Sequence, residues 1–218
     1  MNAPLITFEG PEGGGKSTQV ARLARMLGSR GVRCQITREP GGTKLADSLR
    51  KILLSTRTRD LSPQTELLLM LAARADHVSN LIKPSLEQGI TVICDRFVDS
   101  SIAYQGAGRG LDPELILQLN SFATGALQPD LTLLLDVPVE IGLERAARTS
   151  RPDRFEGQSY DFHNRLRQAF RQMAEREPGR ISQVDATQSE EAVFQQILVA
   201  VDAFLGRRGI TWTSSSST

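Results

Sequence analysis

Residues 10–17, Gly10-Pro11-Glu12-Gly13-Gly14-Gly15-Lys16-Ser17, match the pattern G-x-x-x-x-G-K-[ST], and their setting restricts the fold more than any other stretch. Leu5 to Glu9, just before, is a short apolar run of strand character. From Ser17 to Arg30, apolar residues recur at Val20, Leu23, Ala24 and Leu27, a helical period. The loop therefore joins a strand end to a helix start. Its four glycines permit a tight curl whose N–H groups converge on an anion, and the helix N-terminus adds partial positive charge. In such a loop Lys16 reaches the β- and γ-phosphates and the Ser17 hydroxyl takes Mg²⁺. A chance match in a glycine-rich turn would not also bring strand and helix into register. Residues Gly10 to Thr18 are thus expected to bind a nucleoside triphosphate.

Strand-like and helix-like segments alternate along the 218 residues. Strands are expected at Leu5–Glu9, Val32–Thr37, Thr91–Asp95, Leu131–Asp136 and Ile181–Asp185. Helices are expected at Thr43–Leu54, Pro63–Asn80, Asp112–Phe122, Val139–Arg148, Tyr160–Glu175 and Glu190–Leu205, with Pro84 bending or breaking a further one. Several strands are apolar on both faces, as parallel strands between helix layers are. The reading is an α/β fold, a three-layer αβα sandwich of the P-loop NTP hydrolase type with a five-stranded parallel sheet. Ligands then lie at the carboxyl ends of the strands, where Glu9, Asp95 and Asp136 stand. One domain is expected over residues 1–206, with a mobile lid at about 148–159 and a disordered Ser/Thr-rich tail over 207–218.

Composition excludes several classes of function. A net charge of +1 suggests neither a nucleic-acid nor a membrane partner. The longest apolar run, Leu67 to Ala73, is too short to cross a bilayer. Residues 1–9 lack the features of a secretory signal. Cys34 and Cys94 have no metal or redox spacing, read as buried thiols, and point to the cytosol.

Asp95-Arg96 ends the third strand, where a Mg²⁺-organising carboxylate belongs beside a phosphate loop; Arg96 adds a planar fork for phosphate oxygens. Arg145, Arg148, Arg151 and Arg154 recur every third residue into the polar segment. Arg145 can be a solvated helix face, but the others lead into a loop, which favours phosphate clamping. No Ser/His/Asp or Cys/His arrangement is evident, and His77 and His163 read as structural. An acceptor that is itself a phosphate needs no general base, because its second pKa is about 6. Positioning and charge neutralisation suffice.

Beyond the loop, a set of motifs spans residues 4 to 206: Phe8-Glu9-Gly10-Pro11-Glu12-Gly13, Arg38-Glu39-Pro40-Gly41-Gly42-Thr43, Ala72-Ala73-Arg74, Asp95-Arg96-Phe97, Asp99-Ser100-Ser101-Ile102-Ala103-Tyr104-Gln105-Gly106, Pro129-Asp130-Leu131-Thr132 and Asp153-Arg154-Phe155. With them the chain resembles bacterial thymidylate kinases, ATP-dependent nucleoside monophosphate kinases. The resemblance implies transfer of the γ-phosphoryl of Mg-ATP to dTMP in a cytoplasmic homodimer. It places Glu12 at the sugar 3′-hydroxyl, Arg74 at a thymine carbonyl, Ser101 and Gln105 at the base edge, and Tyr104 beneath the deoxyribose. Arg96 and Arg50 match arginines near the monophosphate, and Ser17 and Asp95 hold the metal. The phosphate loop has no arginine, so Lys16 and Arg96 act with a lid arginine, Arg151 or Arg154. Where the family stacks an aromatic ring on thymine, this chain has Met70, a weaker and less shape-selective platform. A kinase for dUMP or UMP is therefore the near alternative, and a non-catalytic nucleotide switch the distant one; no N/T-K-x-D guanine-reading motif is present.

Overall fold

A computed structural model describes residues 3–56, 61–148 and 153–208. Five strands, β1 (Leu5–Glu9), β2 (Cys34–Arg38), β3 (Thr91–Asp95), β4 (Leu131–Asp136) and β5 (Ile181–Asp185), form one sheet in the order β2-β3-β1-β4-β5. Every pairing is parallel. The expected sheet is therefore present, with β2 beginning two residues late. β1 and β4 are buried throughout because both faces are covered. Alternate residues point to opposite layers: Ile6, Phe8, Ile93, Leu131, Leu133 and Leu135 join one core cluster, whereas Leu5, Val92 and Cys94 join another. β2 is an edge strand and mostly solvated. That is why Cys34 is only half-buried, contrary to expectation, while Cys94 is fully buried.

Nine α-helices surround the sheet among the described residues: α1 (Lys16–Ser29), α2 (Lys44–Leu54), α3 (Pro63–His77), α4 (Lys83–Glu87), α5 (Val98–Ser101), α6 (Pro113–Thr124), α7 (Val139–Ala147), α8 (Tyr160–Arg176) and α9 (Glu190–Arg207). Their starts follow sequence signals. Ser62, Asp112, Ser159 and Ser189 each accept a hydrogen bond from a first-turn N–H, and Pro113 takes the first helical position of α6. Two segments differ from the sequence reading. Pro84 does not break the helical path. Residues Val78–Ile82 form a wider π turn between α3 and α4, and Pro84 falls in the first turn of α4, where its missing N–H costs least. Residues 98–108, not expected to be helical, form α5 followed by a π-helical segment Ile102–Gly108.

The order of the strands sets the site. From β1 the chain moves to one side of the sheet for β2 and β3, then returns to the other side for β4. The crevice at the carboxyl end of β1 is therefore left open for a ligand.

Candidate functional site

The phosphate loop leaves β1 and enters α1, with Gly13 at φ 68° and Gly15 at φ 81°, conformations open mainly to glycine. Gly13 serves a second purpose. A Cβ there would lie 1.9 Å from the Gly142 carbonyl oxygen, so the loop backbone rests directly on α7. Lys16 curls over the loop, and its Nζ donates to the carbonyls of Gly10 at 3.1 Å and Pro11 at 2.6 Å. Burial and the nearby Arg96 cation lower its pKa to about 8, against the opposing pull of Glu12 and Asp95. Ser17 Oγ donates to Asp95 Oδ2 at 2.7 Å. This hydroxyl–carboxylate pair offers two hard oxygen ligands at the mouth of the loop, a donor set suited to Mg²⁺ once phosphate oxygens and water complete the shell.

Arg96 follows β3 at φ 69°, a left-handed conformation unusual for a residue with a Cβ. Glu9 fixes the turn. Its carboxylate accepts from Phe97 N at 2.7 Å, Ser100 Oγ at 2.6 Å and Ser100 N at 3.3 Å. The Arg96 guanidinium then donates to Gly10 O at 3.0 Å and Glu12 Oε1 at 2.9 Å and lies 5.0 Å from the Tyr104 ring centre. Tyr104 O–H donates to the same Glu12 oxygen at 2.6 Å. Burial alone would raise the Glu12 pKa, but Arg96, Lys16 and the Tyr104 hydrogen bond outweigh it and hold it at about 2.

One cleft of about 670 Å³ runs past these groups. Its lining includes Thr18, Arg145, Gln188 and Val193, and also Arg38, Arg50, Met70, Arg74, Ser101 and Gln105. Glu12 to Ser17, Asp95 and Arg96 lie along it as well. Of the three strand-end acids, Asp95 faces this space, whereas Glu9 caps the Arg96 turn and Asp136 binds Arg167 through both oxygens at 2.7 and 3.0 Å.

Most of the sequence-predicted residues come together here. Arg50 donates to Pro40 O at 2.8 Å, and Gln105 to Glu66 Oε1 at 2.8 Å. Arg74 is 3% exposed, and its charge is not alone: Nε donates to Glu39 Oε2 at 2.7 Å and Nη1 to Ser101 Oγ at 2.7 Å. Two expectations about the basic series differ. Arg145 is no solvated face; it lines the cleft and donates to the carbonyl of Ala186 at 2.7 Å. Arg154 is turned from the phosphate loop: Nε donates to Leu53 O at 2.8 Å and Nη1 to the fully buried Glu66 at 2.7 Å, an acid that Arg109 also pairs with at 3.2 Å, because a carboxylate buried this deeply draws cations to it. Arg151 lies outside the described residues, as do residues 149–152 of the expected lid and 209–218 of the tail. Glu39, Glu66 and Asn120 hold the site's arginines; Glu39 lies within the 38–43 motif, whereas nothing in the local sequence marks Glu66 or Asn120.

Comparison with known proteins agrees with this geometry. The family model for thymidylate kinase matches residues 8–197. The thymidylate kinase of Desulfovibrio desulfuricans is 51% identical over 212 residues, covering 94% of this chain and 98% of its own. That of Geobacter sulfurreducens is 50% identical, covering 86% and 91%. The crystal structure of the Ehrlichia chaffeensis thymidylate kinase superposes with a TM-score of 0.73 at 34% identity, over 92% of this chain and all of that one.

Proposed function

We infer, from a chain that belongs to the thymidylate kinase family, that it transfers the γ-phosphoryl group of ATP to dTMP, giving ADP and dTDP. The supporting observation is one continuous cleft that the phosphate loop and Arg96 line together with Thr18, Arg145 and Gln188 and with Arg50, Met70, Arg74 and Ser101. Two nucleotides can lie there with their phosphates meeting. ATP would take the end lined by Thr18, Arg145 and Gln188, with its phosphates on the backbone of residues 10–17. Lys16 would release its two carbonyls to reach the phosphates. Ser17 and Asp95 would hold Mg²⁺, which neutralises phosphate charge when bound. dTMP would take the other end, with Arg96 and Arg50 near its phosphate and Glu12 at the sugar 3′-hydroxyl. Tyr104 would lie beneath the deoxyribose, with Arg74, Ser101, Gln105 and Met70 around the base. The acceptor oxygen is already ionised near neutral pH, so the reaction rests on positioning and electrostatics. The lid over 148–159 would close on the phosphates. Arg154 would have to leave Glu66 to take part; Arg151 is the other candidate.

We also propose a homodimer acting in the cytosol. Free thiols at Cys34 and Cys94 support the compartment. No helix among the described residues is long and apolar enough to cross a membrane.

ADP release measured over a panel of monophosphates tests the assignment. Turnover should be highest with dTMP and absent in Lys16→Ala. A clear preference for UMP would overturn the base and sugar assignments, and ATP binding without acceptor-dependent ADP release would mean a switch.

A further inference from the structure

Arg74 carries five N–H groups, and the fold commits four of them. Nε donates to Glu39 Oε2, Nη1 to Ser101 Oγ and Asn120 Oδ1, and Nη2 to the Phe97 carbonyl at 3.0 Å. One N–H on Nη2 remains, on a residue that lines the cleft. A guanidinium with a single free donor recognises an acceptor only if its roll is fixed. The fixing passes outward from the cleft. Glu39 gives Oε2 to Arg74, and its other oxygen, Oε1, lies 3.0 Å from His77 Nδ1. An ionised carboxylate only accepts, so Nδ1 carries the proton. His77 Nε2 lies 2.7 Å from Thr37 Oγ1. All four side chains are buried. The turn at Gly42 closes over the far side: a Cβ there would lie 2.5 Å from both His77 Nε2 and Thr37 Oγ1. The imidazole therefore has no room to turn away from Glu39. Arg74 and His77 sit three residues apart in α3, on one helix face, so one helix presents both ends of the relay to Glu39.

We propose that His77 and Glu39 are positioning residues for recognition of the phosphoryl acceptor: they set the orientation of Arg74 so that its one uncommitted N–H is available to a carbonyl of the acceptor's base. This rests on the dTMP reading above. His77 lies behind the cleft wall, and Glu39, which lines the cleft, gives one oxygen to Arg74 and has the other 3.0 Å from His77 Nδ1; their effect should fall on acceptor binding rather than on phosphoryl transfer.

Steady-state kinetics of His77→Leu, His77→Asn, His77→Gln and Arg74→Gln test it. His77→Leu should raise the KM for dTMP by about tenfold, the scale of one lost hydrogen bond to a charged group, with kcat and the KM for ATP near those of the parent. His77→Asn places an amide nitrogen close to the Nδ1 position and should recover most of the lost affinity. His77→Gln places it near Nε2, leaves Glu39 Oε1 unpaired, and should not. An unchanged KM for dTMP in both the Leu and Gln variants overturns the proposal. So does a parallel loss of kcat and both affinities that Asn does not relieve, since that is what a merely structural histidine would give. Arg74→Gln separates the layers. If it leaves the KM for dTMP unchanged, the base-end reading fails; if it raises that KM while His77→Leu does not, only the relay fails. Should His77→Leu not fold, Glu39→Gln, which keeps shape and loses charge, must show the same dTMP-specific rise or the relay is refuted.

Discussion

Glu9 and Glu12 stand three residues apart and are driven in opposite directions. Glu9, against Phe97 and Ser100 and near Asp99, has its pKa raised from 4.5 to about 7, chiefly by burial and then by Asp99. Glu12 is lowered from 4.5 to about 2 because Arg96, Lys16 and Tyr104 outweigh its burial. The linkage signs follow. Glu12 contributes stability that is present above pH 4.5 and lost as pH falls toward 2. Glu9, whose proton is held more tightly when folded, contributes stability present below pH 4.5 and lost as pH rises through about 7. Each effect is on the order of 3 kcal/mol. Denaturant unfolding followed across pH should therefore show Glu9→Gln flattening the fall between pH 4.5 and 7, and Glu12→Gln flattening the rise between 2 and 4.5. A Glu9→Gln profile parallel to the parent's would refute the account. In the sequence Glu12 reads as an acid in a loop, and its role there came only from resemblance. Its environment depends on an arginine 84 residues away, and no local pattern carries that. The phosphate loop itself was legible because its chemistry lies within eight consecutive residues.

At the scale of elements, the phosphate loop is held by α7 as much as by its own glycines. Gly142 faces Gly13 across the contact, and a Cβ on Gly142 would lie 2.4 Å from the Glu12 carbonyl oxygen. Alanine favours a helix over glycine by about 1 kcal/mol, so Gly142→Ala should help α7 as an isolated helix. The contact works against it: backbone cannot move aside as a flexible side chain can, and overpacking costs about 1–3 kcal/mol. The expected result is a displaced loop, with ATP affinity reduced by about tenfold or more and helical content retained by circular dichroism. Gly206→Ala in α9 is the control, since a Cβ there meets nothing within 4 Å; it should leave ATP affinity unchanged. Equal ATP affinity in both variants would show that α7 does not seat the loop. The five strands were readable because apolar runs bounded by turns leave little choice. The helical segment 98–108 was not. It is short and contains Gly106 and Gly108, and its packing is non-local: a Cβ on Gly108 would lie 2.6 Å from the Phe162 ring. Its glycine reads as a breaker until α8 is known to cross it.

At the scale of the whole molecule, the proposed dimer has candidate contact residues on three adjoining helices. Helices α2, α3 and α6 adjoin, α3 packing against both of the others. Together they expose Leu45 and Ile52, Leu68, and Leu115, Leu117 and Phe122, the last at 88%. Single exposed apolar residues are ordinary, but six on adjoining helices are where we propose that the chain associates. A second copy of the chain is the proposed occupant. Two-fold symmetry then makes every change count twice. Burying a phenylalanine is worth about 2 kcal/mol, so Phe122→Asp should weaken association by about 4 kcal/mol, near a thousandfold. Sedimentation velocity at micromolar concentration should find the parent at twice the 23.9 kDa chain mass and Phe122→Asp at the mass of one chain. Phe122 is solvent-exposed at the end of α6, so its loss should not unfold the protomer, and thermal unfolding of the variant should remain cooperative. A parent that sediments as a single chain would remove the dimer. A dimeric Phe122→Asp would place the interface on another face.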